Sequence, residues 1–327
     1  MIPLERQELT ELLQNLKIAV LSGGPGEERE ISLRSGENVF NALCGLGLSA
    51  VKIDPAENFI DQIREVSPAL ICNCLHGAFG EDGTVQAVLD TLAFPYTGEN
   101  MLSSAISFNK IRTKEILRAN GIFTSPHIKV PNNYALLNEN LGYHLDFPVV
   151  FKPESSGSSC GIFLINNSQE LKECFENNFA DMQNKNTRFF VEQYIAGTEI
   201  TVGVLEYDNT IYVLPILEIR PKKAFYDYEA KYTKGMTELI IPASIPVQTA
   251  DNVIDISRKI YRFMHYRGCV RIDYIIDKNG ILWALEINTQ PGMTETSDIP
   301  FMLEKEGNLF SDLPLIACSQ CLKKKKN

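Results

Sequence analysis

The 327-residue sequence lacks several features that would assign it to a particular class. No apolar stretch approaches the length that spans a bilayer, so a membrane partner is not expected. Residues 1–16 carry acidic side chains and no apolar core, so a secretory signal peptide is not expected either. With 41 acidic and 31 basic residues the net charge is -10, which argues against nucleic acid as a partner.

A zinc site with paired cysteines is also not expected. Cys318 and Cys321 have the C-x-x-C spacing, but no second pair follows at zinc spacing and no histidine lies nearby. Most of the eight cysteines lie in apolar runs, which is typical of small buried residues. Reduced thiols without a signal peptide indicate a cytoplasmic location.

The features that are present predict an α/β fold. The chain is too long for one ordinary core, which suggests two or three domains. Apolar runs at residues 17–21, 50–53 and 69–74 alternate with helical patterns, the second of which covers residues 59–66. A βαβαβ order predicts a parallel sheet covered by helices.

Two loops of this first unit are candidates for a binding site, because ligands lie beyond the carboxyl ends of parallel strands. The loop at residues 22–30 lacks the G-x-G-x-x-G spacing, and its glutamates would repel a pyrophosphate. Glu28 would suit an ammonium ligand, although it could also simply favour the N-terminus of the next helix. His76, in the glycine-rich loop 76–84, is the second candidate.

A second α/β unit begins near Phe147. Its first strand ends at Lys152, and the following loop, residues 154–161, is rich in serine and glycine. Such a loop can bring backbone N–H groups and a lysine close to phosphate oxygens. It does not match the P-loop spacing, and a flexible hairpin loop is the alternative.

The sequence also predicts the character of three other segments before the last hairpin. The basic helix that ends before Gly121 is expected to have a solvated basic face. Residues 131–146 are polar and are expected to form a connector. Residues 224–235 are polar and aromatic without periodicity, and a loop of that length is usually a lid or disordered.

The stretch from residue 268 to 294 predicts a β-hairpin. Asn279-Gly280 between two apolar runs is typical of a two-residue turn. Counting outward from that turn places Asp273 opposite Glu286 and Arg271 opposite Asn288. Two opposed carboxylates repel each other, and oxygen ligands of this kind suit Mg²⁺, which would remove the repulsion. The alternative is a solvated hairpin face.

Alternation along the hairpin predicts two distinct faces. The polar residues named above share one face. The opposite face is predicted to carry Ile272, Tyr274, Leu285 and Ile287.

Seven motifs, in order along the chain, point to one family. They are GGPGEEREISLRSG, LHGAFGEDGTVQ, PYTG, KPESSGSSCG, FYDYEAKY, RIDYI and LEINTQPGMT. Together they resemble the D-alanine–D-alanine ligases of the ATP-grasp superfamily, over a span from Lys17 to about Leu315. The resemblance implies three domains: 1–98, N-terminal with a Rossmann-like parallel sheet; 99–196, central; and 197–327, C-terminal, α+β in character, with a lid loop at 222–241.

The same resemblance implies the site residues. Those that match catalytic positions are Glu28, Ser158, Tyr232 and Arg271. Those that match D-alanine-binding positions are His76, Gly292 and Ser297. Those that match ATP-binding positions are Lys110, Lys152, Ser159, Glu192, Ile195, Glu199 and Lys231. Those that match metal-binding positions are Asp273, Glu286 and Asn288.

The family's chemistry then implies the ligands. ATP would lie between the central and C-terminal domains, with two Mg²⁺ ions, for which Mn²⁺ could substitute. Glu192 would bind the adenine and Glu199 the ribose, and Arg271 with the Gly292 backbone would stabilise an oxyanion. Two D-alanine molecules would be the substrates, and the chain would form a homodimer.

Four residues depart from the family pattern. They are Gly26, where Ser or Thr is common; Ser156, which replaces a usual Glu; Gln193, where Lys is frequent; and Asp298, where Leu is usual. Two alternatives to a D-alanine–D-alanine ligase remain: a D-alanine–D-lactate ligase, against which Tyr232 argues, and a nucleotide-binding homologue that has lost activity.

Overall fold

Three separate sheets organise the computed structural model, which describes residues 2–56, 58–157, 161–184, 187–221 and 237–324. The strands are β1 (Lys17–Leu21), β2 (Ser49–Ile53), β3 (Leu70–Asn73), β4 (His127–Lys129), β5 (Val149–Pro153), β6 (Phe163–Ile165), β7 (Phe189–Gln193), β8 (Gly197–Tyr207), β9 (Thr210–Val213), β10 (Leu217–Pro221), β11 (Thr237–Ile240), β12 (Val270–Asp277) and β13 (Leu282–Asn288). The helices are α1 (Arg6–Leu13), α2 (Arg29–Gly45), α3 (Phe59–Val66), α4 (Thr84–Thr91), α5 (Met101–Phe108), α6 (Lys110–Ala119), α7 (Tyr134–His144), α8 (Ser168–Asn184), α9 (Val247–Phe263), α10 (Asp298–Lys305) and α11 (Asp312–Lys324).

The first sheet is parallel, as predicted, with the order β2-β1-β3. Four consecutive residues of β1, Ile18 to Leu21, are buried, because helices cover both faces of the sheet. Since β1 and β3 run in the same direction, the loops that follow them lie at one edge of the sheet. These are the loops that carry Glu28 and His76.

The second sheet is antiparallel, with the order β4-β7-β5-β6, and α7 and α8 pack against it. The prediction that residues 131–146 form a connector is wrong, because α7 occupies most of that range. The Asn133 side chain caps this helix by accepting from the Leu136 N–H (3.2 Å). Leu137 and Leu141, one turn apart, bury its inner face.

The third sheet has the order β11-β10-β8-β12-β13, with β9 paired to β8. A two-residue turn at Asp208-Asn209 joins β8 to β9, with φ of 48° and 59°. Helices α5, α6 and α9 pack on this sheet. The predicted lid loop, 222–241, is partly corrected, since residues 237–240 form β11; residues 222–236 lie outside the described ranges.

The β12–β13 hairpin has the predicted pairs but not the predicted turn. The Asp277 N–H donates to the Ile281 carbonyl (3.0 Å), so the loop has three residues, 278–280, and not two. A β-bulge next to Asp273 then adds Leu285 to β13 without a partner. The bulge offsets the longer loop, and the pairs Asp273–Glu286 and Arg271–Asn288 are confirmed.

Because of the bulge, one of the two predicted faces of the hairpin is partly wrong. Leu285 lines the same cleft as Asp273 and Glu286, so its predicted position on the opposite face is wrong. The other three residues predicted for that face, Ile272, Tyr274 and Ile287, are buried in the core beneath the sheet. Across the described ranges, no helix has the length and apolar character needed to cross a membrane.

Candidate active site

A cleft of about 320 Å³ lies between the second and third sheets. Strands β5 and β7 form one wall, and β8, β10, β12 and β13 form the other. The cleft brings together predicted residues from motifs that are far apart in the sequence. They are Lys152, Glu192, Ile195, Glu199, Arg271, Asp273 and Glu286.

A buried ion-pair network stands at the inner end of this cleft. The Lys152 ammonium lies 2.5 Å from Glu192 Oε1 and 5.4 Å from the centre of the Phe190 ring. Glu192 Oε2 accepts from Ser125 Oγ (2.6 Å) and pairs with Lys114 Nζ (2.7 Å). Burial acts to raise the pKa of Glu192, but the two lysines hold it far below its ordinary value. The carboxylate is therefore ionised and engaged with protein groups.

The expectation of a solvated basic face on α6 is wrong. Lys110 and Lys114 are buried, together with Leu117 on the same side of the helix, whereas Arg112 is exposed. The spacing 110, 114 and 117 follows one helical face, and that was the signal for burial. Lys110 Nζ donates to the Ser156 carbonyl (2.6 Å) and lies 3.5 Å from Glu286 Oε2. Lys110 thus connects the serine-rich loop to the hairpin.

Arg271 is held between two carboxylates. Its Nε and Nη2 donate to Asp273 Oδ1 (2.9 Å) and Oδ2 (2.8 Å), and its Nη1 lies 3.4 Å from Asp298 Oδ2. Burial acts to lower the pKa of Arg271, but Asp273 and Asp298 raise it well above its ordinary value. The acid at Asp298, unusual for the family, is therefore balanced by Arg271. Thr201 Oγ1 donates to Asp273 as well (2.5 Å).

The predicted metal ligands lie on one face of the hairpin. Asp273 and Glu286 line the large cleft, and Glu286 and Asn288 line an adjoining cavity of about 40 Å³ together with Lys110. No group of three or more His, Cys, Asp or Glu side chains is arranged for a metal in the parts of the chain that the structure describes. Two carboxylates and an amide nevertheless fit Mg²⁺, whose remaining ligands are usually phosphate oxygens and water.

Asn288 keeps the capacity to act as such a ligand. Its Oδ1 accepts from the Gln290 N–H (2.8 Å), which fixes the side chain. An amide oxygen has two lone pairs, so one remains.

Glu28 and His76 lie at the edge of the first sheet, as their loops required. The Glu28 carboxylate lies so close to Gly77 and Gly157 that an added Cβ would come within 2.5 Å and 2.3 Å of its Oε2. A side chain at either position would therefore displace the Glu28 carboxylate, and Gly77 also has a positive φ of 70°. Since Gly157 also lines the small cavity beside Lys110, Glu28 adjoins the hairpin face that carries the predicted metal ligands.

His76 is fixed by two residues that sequence reasoning missed. Its Nε2 lies 3.0 Å from Ser35 Oγ, and its Nδ1 lies 3.4 Å from Glu81 Oε1. Ser35 Oγ also accepts from the Met293 N–H (3.2 Å), which ties α2 to the loop after β13. Ser35 lies two helical turns beyond Glu28, and that spacing could have identified it.

Gly292 and Ser297 lie together in the loop between β13 and α10. A Cβ on Gly292 would come within 2.6 Å of Ser297 Oγ, so the close approach requires glycine. Ser297 Oγ accepts from the Thr294 N–H (3.0 Å). Through Met293 and Ser35 this loop connects to His76, which joins the residues predicted to bind the two D-alanines.

Four predicted site residues, Ser158, Ser159, Lys231 and Tyr232, lie outside the described residues, and their roles stay predictions. Of the departures from the family pattern, Gln193 bonds to the backbone at Asp146: its Nε2 donates to the carbonyl (2.8 Å) and its Oε1 accepts from the N–H (3.0 Å). This fixes Gln193 at the start of β5.

The sequence is similar to a family of known enzymes. A family model described as D-ala D-ala ligase C-terminus matches residues 116–316, more than half of the chain. The D-alanine–D-alanine ligase of Pseudothermotoga lettingae is 40% identical over 303 residues, which cover 91% of this chain and 97% of that protein. The chain belongs to the D-alanine–D-alanine ligase family. The ligase of Fervidobacterium nodosum is also 40% identical, over 94% of this chain and 99% of its own.

Solved structures of the D-alanine–D-alanine ligase family share the fold. The Bacillus anthracis D-alanine–D-alanine ligase complexed with ATP is 30% identical, with a TM-score of 0.78 over 95% of this chain and 99% of that chain. The VanG D-Ala:D-Ser ligase of Enterococcus faecalis is 26% identical, with a TM-score of 0.78 over 94% and 100% of the two chains. The predicted α/β fold class and ATP-grasp architecture are confirmed.

Proposed function

We propose that this protein joins two D-alanine molecules into D-alanyl-D-alanine for peptidoglycan precursors, with cleavage of ATP to ADP and phosphate. The observation that carries the proposal is the arrangement around the cleft. Lys152 faces the same cleft as the opposed carboxylates Asp273 and Glu286 and as Arg271. Such an arrangement can neutralise a triphosphate and the oxyanion of an acyl-transfer step side by side.

ATP would occupy the cleft between the second and third sheets. Lys152, Lys110 and Lys231 would neutralise the phosphate groups, and Ser159 would belong to the loop that covers them. Ile195 and Glu199, which also line the cleft, would contact the adenine and the ribose. Glu192 would act mainly through Lys152, because its carboxylate is taken up by the two lysines and Ser125.

Two Mg²⁺ ions, for which Mn²⁺ could substitute, would be held by Asp273, Glu286 and Asn288. When bound they would supply positive charge to the phosphate oxygens during transfer. The protein's own part is to hold these three oxygen ligands on one face and to keep Arg271 close to them.

The reaction would proceed in two steps. A carboxylate oxygen of the first D-alanine attacks the γ-phosphorus of ATP, and ADP leaves with the bonding electron pair, which gives D-alanyl phosphate. Glu28 would hold the ammonium group of this D-alanine, with His76 beside it. Tyr232 and Ser158 would complete the set of hydrogen bonds around Glu28.

In the second step the deprotonated amine of the second D-alanine attacks the acyl carbon, and phosphate leaves. Arg271 and the Gly292 N–H would stabilise the oxyanion, an interaction worth about 3–4 kcal/mol. Ser297 would hold the carboxylate of this second D-alanine. The lid over the site would exclude water, which would otherwise hydrolyse the acyl phosphate.

We also propose the domain boundaries, the location and the oligomeric state of the protein. The domain boundaries are 1–98, 99–196 and 197–327, each range containing one of the three sheets. The protein acts in the cytoplasm, where ATP is available, and it forms a homodimer, as the family resemblance implies.

The second substrate is the part of the proposal that a direct test can decide. The E. faecalis relative, 26% identical, is a D-Ala:D-Ser ligase, so D-serine is a specific alternative besides D-lactate. We expect D-alanine to be preferred, with a rate of dipeptide formation that rises with pH across the range tested, because the ammonium group of the second D-alanine must lose its proton. Phosphate release measured with D-alanine, D-serine, D-lactate and L-alanine between pH 6 and 9 checks this. A preference for D-lactate or D-serine throughout that range would contradict it.

A further inference from the structure

Lys114 is a buried cation that the proposed reaction does not use directly. Its side chain is fully buried, and its Nζ donates to Thr124 Oγ1 (2.9 Å) and Ser125 Oγ (2.8 Å) and pairs with Glu192 Oε2 (2.7 Å). An ammonium has three N–H donors, so these three acceptors satisfy it completely. Lys114 therefore cannot bind a nucleotide itself and acts only on its protein neighbours.

Lys114, Glu192 and Lys152 form a row of alternating charge. Glu192 Oε2 meets Lys114 and Glu192 Oε1 meets Lys152, so the carboxylate lies between two ammonium groups. With both lysines charged the row carries a net charge of +1. Without Lys114 the remaining pair would be neutral, and the charge of Lys152 would be compensated by Glu192 before any phosphate arrived.

Stability alone does not account for Lys114. Burial of an ion pair costs about as much as its attraction returns, and replacement of a whole buried pair by apolar residues is often neutral or stabilising. Burial, together with smaller effects of Lys152 and Arg118, lowers the pKa of Lys114 to about 8 against the attraction of Glu192. His127, the other titratable group beside the network, has its pKa lowered to about 4 by burial and by Arg118, so it adds no charge at neutral pH.

We propose that Lys114 is a positioning residue for nucleotide binding. It supplies the second positive charge to Glu192, so that Glu192 holds Lys152 in place while the row keeps a positive charge for the ATP phosphates. The inference rests on the proposed function only through the ATP site. It predicts that loss of Lys114 weakens the binding of ligands that carry phosphate groups and leaves the binding of the nucleoside unchanged.

The test compares ATP with adenosine on the full-length chain by calorimetry. Lys114→Met is expected to raise the Kd for ATP by about 10-fold, because it removes one net charge from the phosphate end of the cleft. The Kd for adenosine is expected to change by less than about 2-fold. Lys172→Met, which removes an exposed lysine on α8, is the matched control and is expected to leave both values unchanged.

A double variant separates charge from packing. Lys114→Met with Glu192→Gln restores the net charge of +1, and the glutamine amide oxygen still accepts from Lys152. We expect its Kd for ATP to return to within about 3-fold of the wild-type value, and this variant decides the question if the single variant does not fold.

Three outcomes would contradict the inference: an unchanged Kd for ATP in a folded Lys114→Met protein, a parallel loss of adenosine binding, or no recovery in a folded double variant. A wild-type chain that binds no ATP would instead contradict the proposed function.

Discussion

Arg271→Lys is expected to lower kcat by about 10²- to 10³-fold and to change the Kd for ATP by less than about 3-fold. Arg271 presents two nitrogens to Asp273 and a third towards Asp298. A lysine keeps the positive charge between these carboxylates but not the planar fork, so it cannot both bridge Asp273 and reach an oxyanion. Single-turnover rates and calorimetric titration with ATP measure the two quantities.

Arg271→Ala is expected to abolish turnover as well, but it is a less clear test. The buried carboxylates of Asp273 and Asp298 would lose their counter-charge, and breaking a buried pair costs about 3–5 kcal/mol. Arg262→Lys, at an exposed position on α9, is the matched control. A normal kcat in Arg271→Lys would show that Arg271 does not stabilise the oxyanion. Loss of ATP binding in that variant would show that Arg271 belongs to the nucleotide site instead.

Glu286→Gln is expected to lower turnover at a fixed Mg²⁺ concentration by at least about 100-fold, since loss of even an outer-shell partner of a metal costs 10- to 100-fold. Glu286 lines both the large cleft and the small cavity, as Arg271 also does. It pairs with Asp273 across the hairpin and lies two residues before Asn288. The substitution keeps the shape of the side chain and removes its charge. Initial rates measured across a Mg²⁺ titration give the result.

In the same variant we also expect a change in the coupling between metal binding and nucleotide binding. Without Mg²⁺, a carboxylate beside the phosphates repels ATP, so Glu286→Gln should bind ATP without metal at least as tightly as the wild-type chain does. Glu304→Gln, at an exposed position on α10, controls for a general change of charge. Wild-type Mg²⁺ dependence in Glu286→Gln would show that Glu286 is not a metal ligand.

The hairpin shows how a correct prediction can rest on a wrong detail. Asn-Gly is typical of a two-residue turn, but here Asp277 accepts at its Oδ1 from the N–H groups of Asn279 (2.8 Å) and Ile281 (2.9 Å), and these bonds belong to a three-residue loop. The bulge at Leu285 offsets the extra residue. Periodicity cannot reveal a bulge, because the partner strand and the cleft determine where a residue is left unpaired.

Helix α7 and the buried lysines of α6 show two different limits of prediction from the sequence. For α7 the signals were present, since Asn133 precedes leucines one turn apart at 137 and 141. For Lys114 the charge itself was misleading, because a lysine is buried only where tertiary contacts satisfy its three donors. Thr124 and Ser125 lie in the loop after α6 and Glu192 lies on β7, so the periodicity of the helix could not identify them as partners.

The positions of Lys152, Asp273 and Glu286 in one cleft could be predicted, because strand ends and alternation place side chains by simple geometry. Ser35 and Glu81 could not be predicted, because they act by holding His76 and contact it only after the loops of the first sheet have folded. The predicted site is therefore most complete where it lies on strands and least complete where loops meet.

The central claim is tested most directly by the stoichiometry of the reaction. Purified protein is incubated with ATP, Mg²⁺ and D-alanine, and ADP, phosphate and dipeptide are quantified together. The account predicts one ADP, one phosphate and one D-alanyl-D-alanine per turnover, with no phosphate release when D-alanine is omitted. Release of phosphate without dipeptide, or none in the presence of D-alanine, would contradict it.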